Sequence, residues 1–269
     1  MPRYDRLSIL VSLILFGLVV SQVIELPTRI ISFVALGVPT TIYLSSGWFI
    51  GAILVILAGT GTDSIVRSHP YAHDTDRGYS FSFWGLPCSF TLFSLFVLPL
   101  SPDKFFWLGG LALTGLCLSL IIIAQYHTID PQDRYYNLAH WGLNLTVYLA
   151  IFAFCTIIYG ARARSLLSAT AILALGAALA AELLRSQASR QEIRRTWLYA
   201  LTVGIVLGEV AWALNHLSLS DLAGGVLLLL VFYVISGLAR QHLRGRLVRQ
   251  VVIEFTVVSV LGLGLLYFM

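Results

Sequence analysis

Long apolar segments separated by short polar connections run through the whole chain. Breaks at proline, glycine and clusters of charge divide it into ten such segments, each about as long as a membrane crossing requires. Roughly 20 residues in an α-helix, at 1.5 Å rise per residue, cross about 30 Å of hydrocarbon. The predicted spans are residues 7–26, 28–44, 48–66, 81–100, 104–125, 138–159, 165–184, 196–214, 219–239 and 248–268. The pattern predicts an all-α polytopic integral membrane helical bundle, one domain over residues 1–269.

Two counts of membrane crossings are possible, and the choice depends on whether the chain turns back at Ser45, Ser46 and Gly47. As one helix, residues 28–66 would be about 58 Å long, nearly twice the hydrocarbon thickness, so the segment must turn back, re-enter or protrude. A tight helical hairpin at these three residues gives ten spans. A single crossing by residues 28–66 gives nine.

Basic residues are concentrated in alternate connections and set the expected orientation. The richer side carries Arg67, Arg77, Arg134, Arg185, Arg190, Arg194, Arg195, Arg240, Arg244, Arg246 and Arg249, and the opposite side carries Lys104, Arg162 and Arg164. Because Lys and Arg stay cytoplasmic during insertion, the richer side is predicted to be inside. Ten spans would then place Arg3 and Arg6 outside, against the same rule. Nine spans would place the N-terminus inside and remove the conflict.

Composition supports the membrane assignment and limits the partners. Of 269 residues, 58% are hydrophobic and 11% are charged, with a mean hydropathy of +0.86. A soluble domain has about 25% charged residues. We expect the lipid bilayer and other membrane subunits as partners and no nucleic acid, since no nucleic-acid-binding motif is present. Sixteen arginines against one lysine, together with short connections, favour a bacterial plasma membrane.

The sixth segment carries a polar stripe on an otherwise apolar helix. At 100° per residue its polar side chains fall within an arc of about 80°. They are Asp133, Asn137, His140, Asn144 and Tyr148. Polar groups at membrane depth usually face the interior of a bundle, so Asn137, His140 and Asn144 are predicted to point inward. The stripe either fixes helix packing by hydrogen bonds or forms a ligand site.

The eighth segment has a sparser polar arc made by Thr202, Glu209, Trp212 and His216. Glu209 is the most deeply placed carboxylate in the sequence. We expect it to contact a basic or hydrogen-bonding side chain of another span, or to be neutral. Carboxylates near span ends, such as Asp63 and Glu182, are expected to serve their own helix terminus or a neighbouring arginine.

Two connections on the predicted cytoplasmic side are rich in histidine and aspartate. With the adjoining span end they carry Asp63, Arg67, His69, His73, Asp74, His127, Asp130 and Arg134. One hypothesis is a site for a divalent metal or a phosphate headgroup. The other is a solvated rim shared with anionic lipid heads. Pro70 disfavours a helix at His69, so the pattern does not establish a paired-histidine metal face.

Small residues on the seventh segment predict close approach of a neighbouring helix. They share one face with Leu173 and are Ala169, Gly176, Ala177 and Ala180. Residues of this size, spaced about four apart, let two membrane helices pack backbone to backbone. The three cysteines, Cys88, Cys117 and Cys155, lie inside apolar segments and are predicted to be buried small side chains.

No motif in the chain assigns an activity or a cofactor. There is no H-E-x-x-H, G-x-S-x-G or P-loop sequence, and no inverted repeat of the transporter type is evident. Three hypotheses remain. The chain is a non-catalytic membrane component that holds or assembles a larger complex; a membrane-embedded enzyme or binding protein for an amphipathic or lipid-linked substrate entering from the cytoplasmic face; or a small proton-coupled transporter.

Overall fold

The computed structural model describes residues 4–24, 29–35, 38–44, 46–69, 83–130, 132–160, 165–185, 193–216, 219–243 and 264. Eight α-helices and two short strands lie within these ranges. In chain order they are α1 Tyr4–Val23, β1 Arg29–Ala35, β2 Val38–Leu44, α2 Ser46–Arg67, α3 Gly85–Val97, α4 Lys104–His127, α5 Tyr136–Gly160, α6 Ser165–Arg185, α7 Ile193–Leu214 and α8 Asp221–Leu243.

Helical spans of membrane length account for most of the described chain. Seven helices (α1, α2 and α4–α8) are long and apolar enough to cross a membrane. α3 is shorter and continues into a 3-10 turn at Leu98–Leu100. The prediction of an all-α polytopic membrane bundle is confirmed, and most helix ends lie within a few residues of the predicted ones. Of the last predicted span, 248–268, only Gly264 lies within the described residues.

The second predicted span, 28–44, is wrong. Its described residues form an antiparallel pair of strands whose register runs from Arg29↔Leu44 to Ala35↔Val38. Strands of seven residues extend about 23 Å, and a membrane strand needs about 9–11 residues within a closed barrel. An open hairpin in hydrocarbon would leave backbone groups without hydrogen bonds. The hairpin therefore does not replace a membrane crossing.

The packing of α1 against α2 decides between the two span counts. Gly17 of α1 lies against Leu54 of α2, and Gly61 of α2 lies against Leu10 of α1. The two helices are therefore antiparallel, so the chain does not cross the membrane between them. α3 in turn runs antiparallel to α2, with Leu95 against Gly51. Residues 28–66 therefore cross the membrane once, as in the nine-span alternative and not as in the ten-span one, which brings the start of α1 to the same end as Arg67.

Helices α1–α4 form the first of two compact units, Met1–Thr75 with Pro87–Ile129. Its core is built from aliphatic side chains of α1, α2 and α4, among them Ile14, Leu18, Leu54, Ala58, Leu118 and Ile122. The Cys88 thiol of α3 donates to the Val55 carbonyl at 3.2 Å, and Thr114 of α4 donates to Ser94 of α3 at 3.2 Å. Short polar contacts thus tie α3 to its neighbours.

Helices α5–α8 belong to the second unit, Asp76–Leu86 with Asp130–Met269. α6 and α7 are antiparallel and pack backbone to backbone. A Cβ on Gly204 would lie 2.6 Å from the Leu173 carbonyl oxygen and 2.7 Å from the Ala177 Cβ, and Gly208 lies against Ala169. This confirms the close approach predicted from the small residues of this segment. The single-domain assignment over residues 1–269 stays a prediction.

Hydrogen bonds at one end of the second unit fix the helix directions. The Tyr159 hydroxyl at the end of α5 donates to the Leu214 carbonyl at the end of α7, at 3.1 Å. Asn215 donates to Ser168 near the start of α6, at 2.8 Å. α5 and α7 therefore run parallel. α8 runs against both, because its Gly225 lies on Thr156 and its His242 lies beside Tyr199.

Candidate functional site

The polar stripe of α5 lies beside the packed face of the helix and not on it. The packed face consists of Ala139, Leu143, Val147, Ile151 and Phe154. His140, Asn144 and Tyr148 are half-buried on its flank, and Asn137 is exposed. The prediction that Asn137 points inward is therefore wrong. Residues near the start of a helix reach the membrane surface, where an amide meets water and lipid heads.

The inner end of this stripe is tied to α8. Arg240 donates a hydrogen bond to the Tyr148 hydroxyl. The Tyr148 ring also meets Phe232 edge-on, with centroids 6.0 Å apart. One turn from the start of α5, the His140 ring is stacked on Tyr136 at 6.1 Å. The contacts at Tyr148 thus act in the packing of α5 on α8, the contact at His140 lies within α5, and the ligand-site hypothesis for the stripe stays a prediction.

The polar arc of α7 faces away from the helices it packs against. Thr202, Glu209, Trp212 and His216 are all exposed. Two of them use their own helix: Thr202 donates to the Leu198 carbonyl at 2.9 Å, and His216 Nδ1 lies 3.1 Å from the Trp212 carbonyl oxygen. Within the described part of the chain, Glu209 has no hydrogen-bond or ion-pair partner. The expected partner from another span is not found there.

The exposed face of α7 has a regular spacing. Successive members are separated by four, three, four, three and four residues: Leu198, Thr202, Ile205, Glu209, Trp212 and His216. We call this set the α7 seam. Its polar positions, Thr202, Glu209 and His216, recur every seventh residue, with apolar positions between them. The seam lies opposite the buried face of α7, which includes Val203, Leu207 and Leu214, and Gly204 and Gly208, which pack on α6, lie to one side of it.

On the predicted cytoplasmic rim, side chains of the first unit pair locally. Arg67 Nε lies 2.7 Å from Asp63 Oδ2, one turn away on α2. The His69 ring meets Tyr126 at 4.6 Å between centroids, and His127 meets the same tyrosine at 5.9 Å. The expectation that Asp63 serves a neighbouring arginine is confirmed. His69 and His127 are brought to one aromatic residue at the shared end of α2 and α4.

The remaining rim residues give no metal geometry. Asp130 accepts the Gln132 backbone N–H at 2.9 Å, which closes a turn before α5, and Arg134 is exposed. His73 and Asp74 lie outside the described residues. In the ranges that the structure describes, no three His, Cys, Asp or Glu side chains come together as metal ligands would. The rim site stays a prediction.

A buried ion pair at the end of α6 confirms the expectation that Glu182 serves its helix terminus or a neighbouring arginine. Glu182 Oε1 accepts from Arg185 at 2.9 Å, and both side chains are at most 3% exposed. The arginine guanidinium carbon lies 3.9 Å from the centre of the Phe83 ring, just before α3. The three-residue spacing of Glu and Arg predicts the pair. Nothing in the sequence indicated that Phe83 would cover it.

Comparison with known proteins gives a family and no activity. Neither the search of curated proteins nor the search of solved structures found a match. A family model described as protein of unknown function (DUF5656) matches residues 26–269, which include β1, β2 and every helix from α2 to α8. The match covers far more than half of the sequence, and the chain belongs to the DUF5656 family.

Proposed function

We propose that this protein is a non-catalytic membrane component that assembles into a larger complex through the α7 seam. The observation that carries the proposal is the outward position of Glu209. With α7 centred in the bilayer, Glu209 lies about 8 Å from the midplane, well inside the hydrocarbon. A charged side chain in the middle of a membrane helix costs about 2.5–3.5 kcal/mol or more. A polar partner on a second protein removes that cost.

The other hypotheses draw less support from the same residues. A proton relay between Glu209 and His140 would need the two groups close together. α5 and α7 run parallel and end at the same level, which puts these residues roughly 20 Å apart along the helix axes. The half-buried stripe on α5 is already engaged at Tyr148 by Arg240. An assembly role is therefore the function that the geometry supports best.

We place this component in a bacterial plasma membrane. The support is compositional: arginine outnumbers lysine sixteen to one, and the connections between helices are short.

The test is the size of the complex in membranes of the source cell. Wild type should migrate well above the 29.6 kDa monomer in mild-detergent native electrophoresis. Glu209→Ala should lose most of that complex, whereas Glu209→Gln should keep it, because an amide retains both hydrogen-bond donor and acceptor. Asn137→Ala removes an exposed polar group from α5 and is the matched control, expected to leave the complex intact.

A wild-type protein that migrates as a monomer would refute the proposal. So would a complex that survives Glu209→Ala and dissociates with Asn137→Ala, because the assembly surface would then be on α5. Thermal unfolding of each variant in the same detergent shows whether the fold is retained.

A further inference from the structure

We infer that a groove between α5 and α8 binds the phosphate headgroup of an anionic phospholipid, with Arg240 as its main ligand. The groove lies toward the end of the second unit that is predicted to be cytoplasmic, and it involves neither the α7 seam nor a partner protein. The lipid phosphate supplies a negative charge that Arg240 does not meet within the described residues.

α5 and α8 pack tightly at one end and are uncovered at the other. A Cβ on Gly224 of α8 would lie 2.6 Å from the ring of Tyr159, near the end of α5. Five turns earlier on the same side of α5, Leu138 is 73% exposed and Trp141 is 76% exposed. The side of α5 that packs on α8 at the outer end is thus open to lipid toward the cytoplasmic end, which leaves a groove beside α8.

Arg240 reaches along this groove toward the middle of the membrane. Measured from the contact of Gly225 with Thr156, Arg240 lies about 22 Å away along α8 and Tyr148 about 12 Å away along α5. The Arg240 side chain therefore extends inward to reach the Tyr148 hydroxyl, and Tyr148 is at the middle of α5. An arginine near a helix end usually extends outward to the membrane surface. The inward direction places a cation inside the hydrocarbon layer.

Tyr148 holds Arg240 without compensating its charge. A phenol hydroxyl is neutral, and it accepts from only one of the two terminal nitrogens of the guanidinium. Within the described part of the chain, no carboxylate lies within ion-pair distance of Arg240, and Glu182 is held by Arg185. The remaining N–H donors of a guanidinium form a planar fork that fits two oxygens of a phosphate. An oxyanion is therefore the ligand that Arg240 is suited to bind.

The polar stripe gives a headgroup a route from the membrane surface to this guanidinium. Asn144 and His140 lie about one and two turns from Tyr148 toward the start of α5, and both are half-buried. The Asn144 side chain forms no hydrogen bond within the described residues, so its amide can donate to a phosphate oxygen. Leu145 and Leu149 beside the stripe are exposed and can pack against acyl chains. A polar route next to an apolar surface fits a lipid better than a free phosphate ion, and basic pockets between membrane helices bind anionic lipid heads.

The experiment measures lipid binding to the purified full chain by native mass spectrometry in an uncharged detergent. Phosphatidylglycerol, phosphatidylcholine and inorganic phosphate are titrated separately. We expect saturable binding of phosphatidylglycerol and binding of phosphatidylcholine that is about 10-fold weaker or less. Arg240→Gln should weaken phosphatidylglycerol binding about 10-fold or more, the range of a charge-assisted hydrogen bond.

Two further variants separate the site from general charge and from misfolding. Arg134→Gln removes the same charge from an exposed position on the same side and should bind phosphatidylglycerol like wild type. Asn144→Leu keeps Arg240 and blocks the polar route, so it should also weaken binding. Thermal unfolding without lipid shows which variants keep the fold. Should Arg240→Gln fail to fold, Asn144→Leu and the lipid preference of wild type decide the outcome.

Equal binding of the two lipids to wild type would overturn the inference, and so would phosphatidylglycerol binding that Arg240→Gln and Asn144→Leu leave unchanged. Inorganic phosphate that displaces the lipid at equal concentration would identify a free anion as the ligand and overturn the lipid assignment. Glu254 lies outside the described residues. If wild type shows no preference for the anionic lipid and Glu254→Gln creates one, the counter-charge of Arg240 belongs to the chain itself and the inference fails.

Discussion

Two glutamates of the second unit show opposite ways of placing a charge in a membrane helix. Glu182 is buried against Arg185, with the arginine capped by Phe83. Breaking such a pair leaves an uncompensated charge in a dry site, so the pair stabilises the end of α6 beneath Phe83. Glu209 is exposed and has no partner in the described chain. The proposed assembly role concerns only the second arrangement.

At Gly204 we predict that even one methyl group is too large. A Cβ would lie 2.6 Å from the Leu173 carbonyl oxygen, a backbone atom that cannot rotate away. Gly204→Ala should lower the free energy of unfolding by about 1–3 kcal/mol, the usual cost of overpacking. Thermal unfolding in detergent measures it.

The matched control for this substitution is Gly142→Ala on α5. Nothing lies within 4 Å of a Cβ there, and alanine is the better helix former. The control should be neutral or slightly stabilising. A Gly204→Ala protein as stable as Gly142→Ala would mean that α6 and α7 do not pack this closely.

The residue types predicted which side chains would contact each other locally better than they predicted which way the polar side chains face. The pairing of Asp63 with Arg67 and the small-residue face of α6 followed from spacing alone. The polar arcs of α5 and α7 were also visible in the sequence. Their direction was not, because the spacing of polar residues shows that they share a helix face and does not show which face packs on a neighbouring helix. Asn137 and Glu209 both point outward.

Among the elements, helix positions were predictable and the hairpin was not. Hydropathy marks residues 28–44 as apolar enough for a membrane helix, and it carries no information on backbone conformation. The residues themselves favoured strands, since Ile30, Ile31, Val34, Thr41 and Ile42 are all β-branched. That enrichment is the signal that could have separated β1 and β2 from a helical span.

On the scale of the whole molecule, the antiparallel packing of α1 on α2 decides on which side of the membrane α1 starts relative to Arg67. With no crossing between these helices, the start of α1 shares a side with Arg67, which lies on the arginine-rich side. Arg3 and Arg6 then follow the same rule as the other basic residues. The hairpin between α1 and α2 falls on the opposite side.

Topology reporters test this arrangement. A reporter ahead of Met1 and one fused after Arg246 should both register as cytoplasmic. Reporters placed near Arg164 and between residues 36 and 37 should both register as external. An external N-terminal reporter together with a cytoplasmic one after Arg246 would restore the ten-span count and contradict the packing of α1 on α2.

Photo-crosslinking from the middle of the α7 seam in intact membranes tests the assembly role itself. A photoreactive residue at Ile205 is compared with one at Leu149, which is exposed at similar depth on α5. We predict a protein adduct from Ile205, whose mass gives the size of the partner. Leu149 should give lipid adducts only. Lipid adducts alone at both positions would show that the seam faces the bilayer and would refute the proposed assembly role.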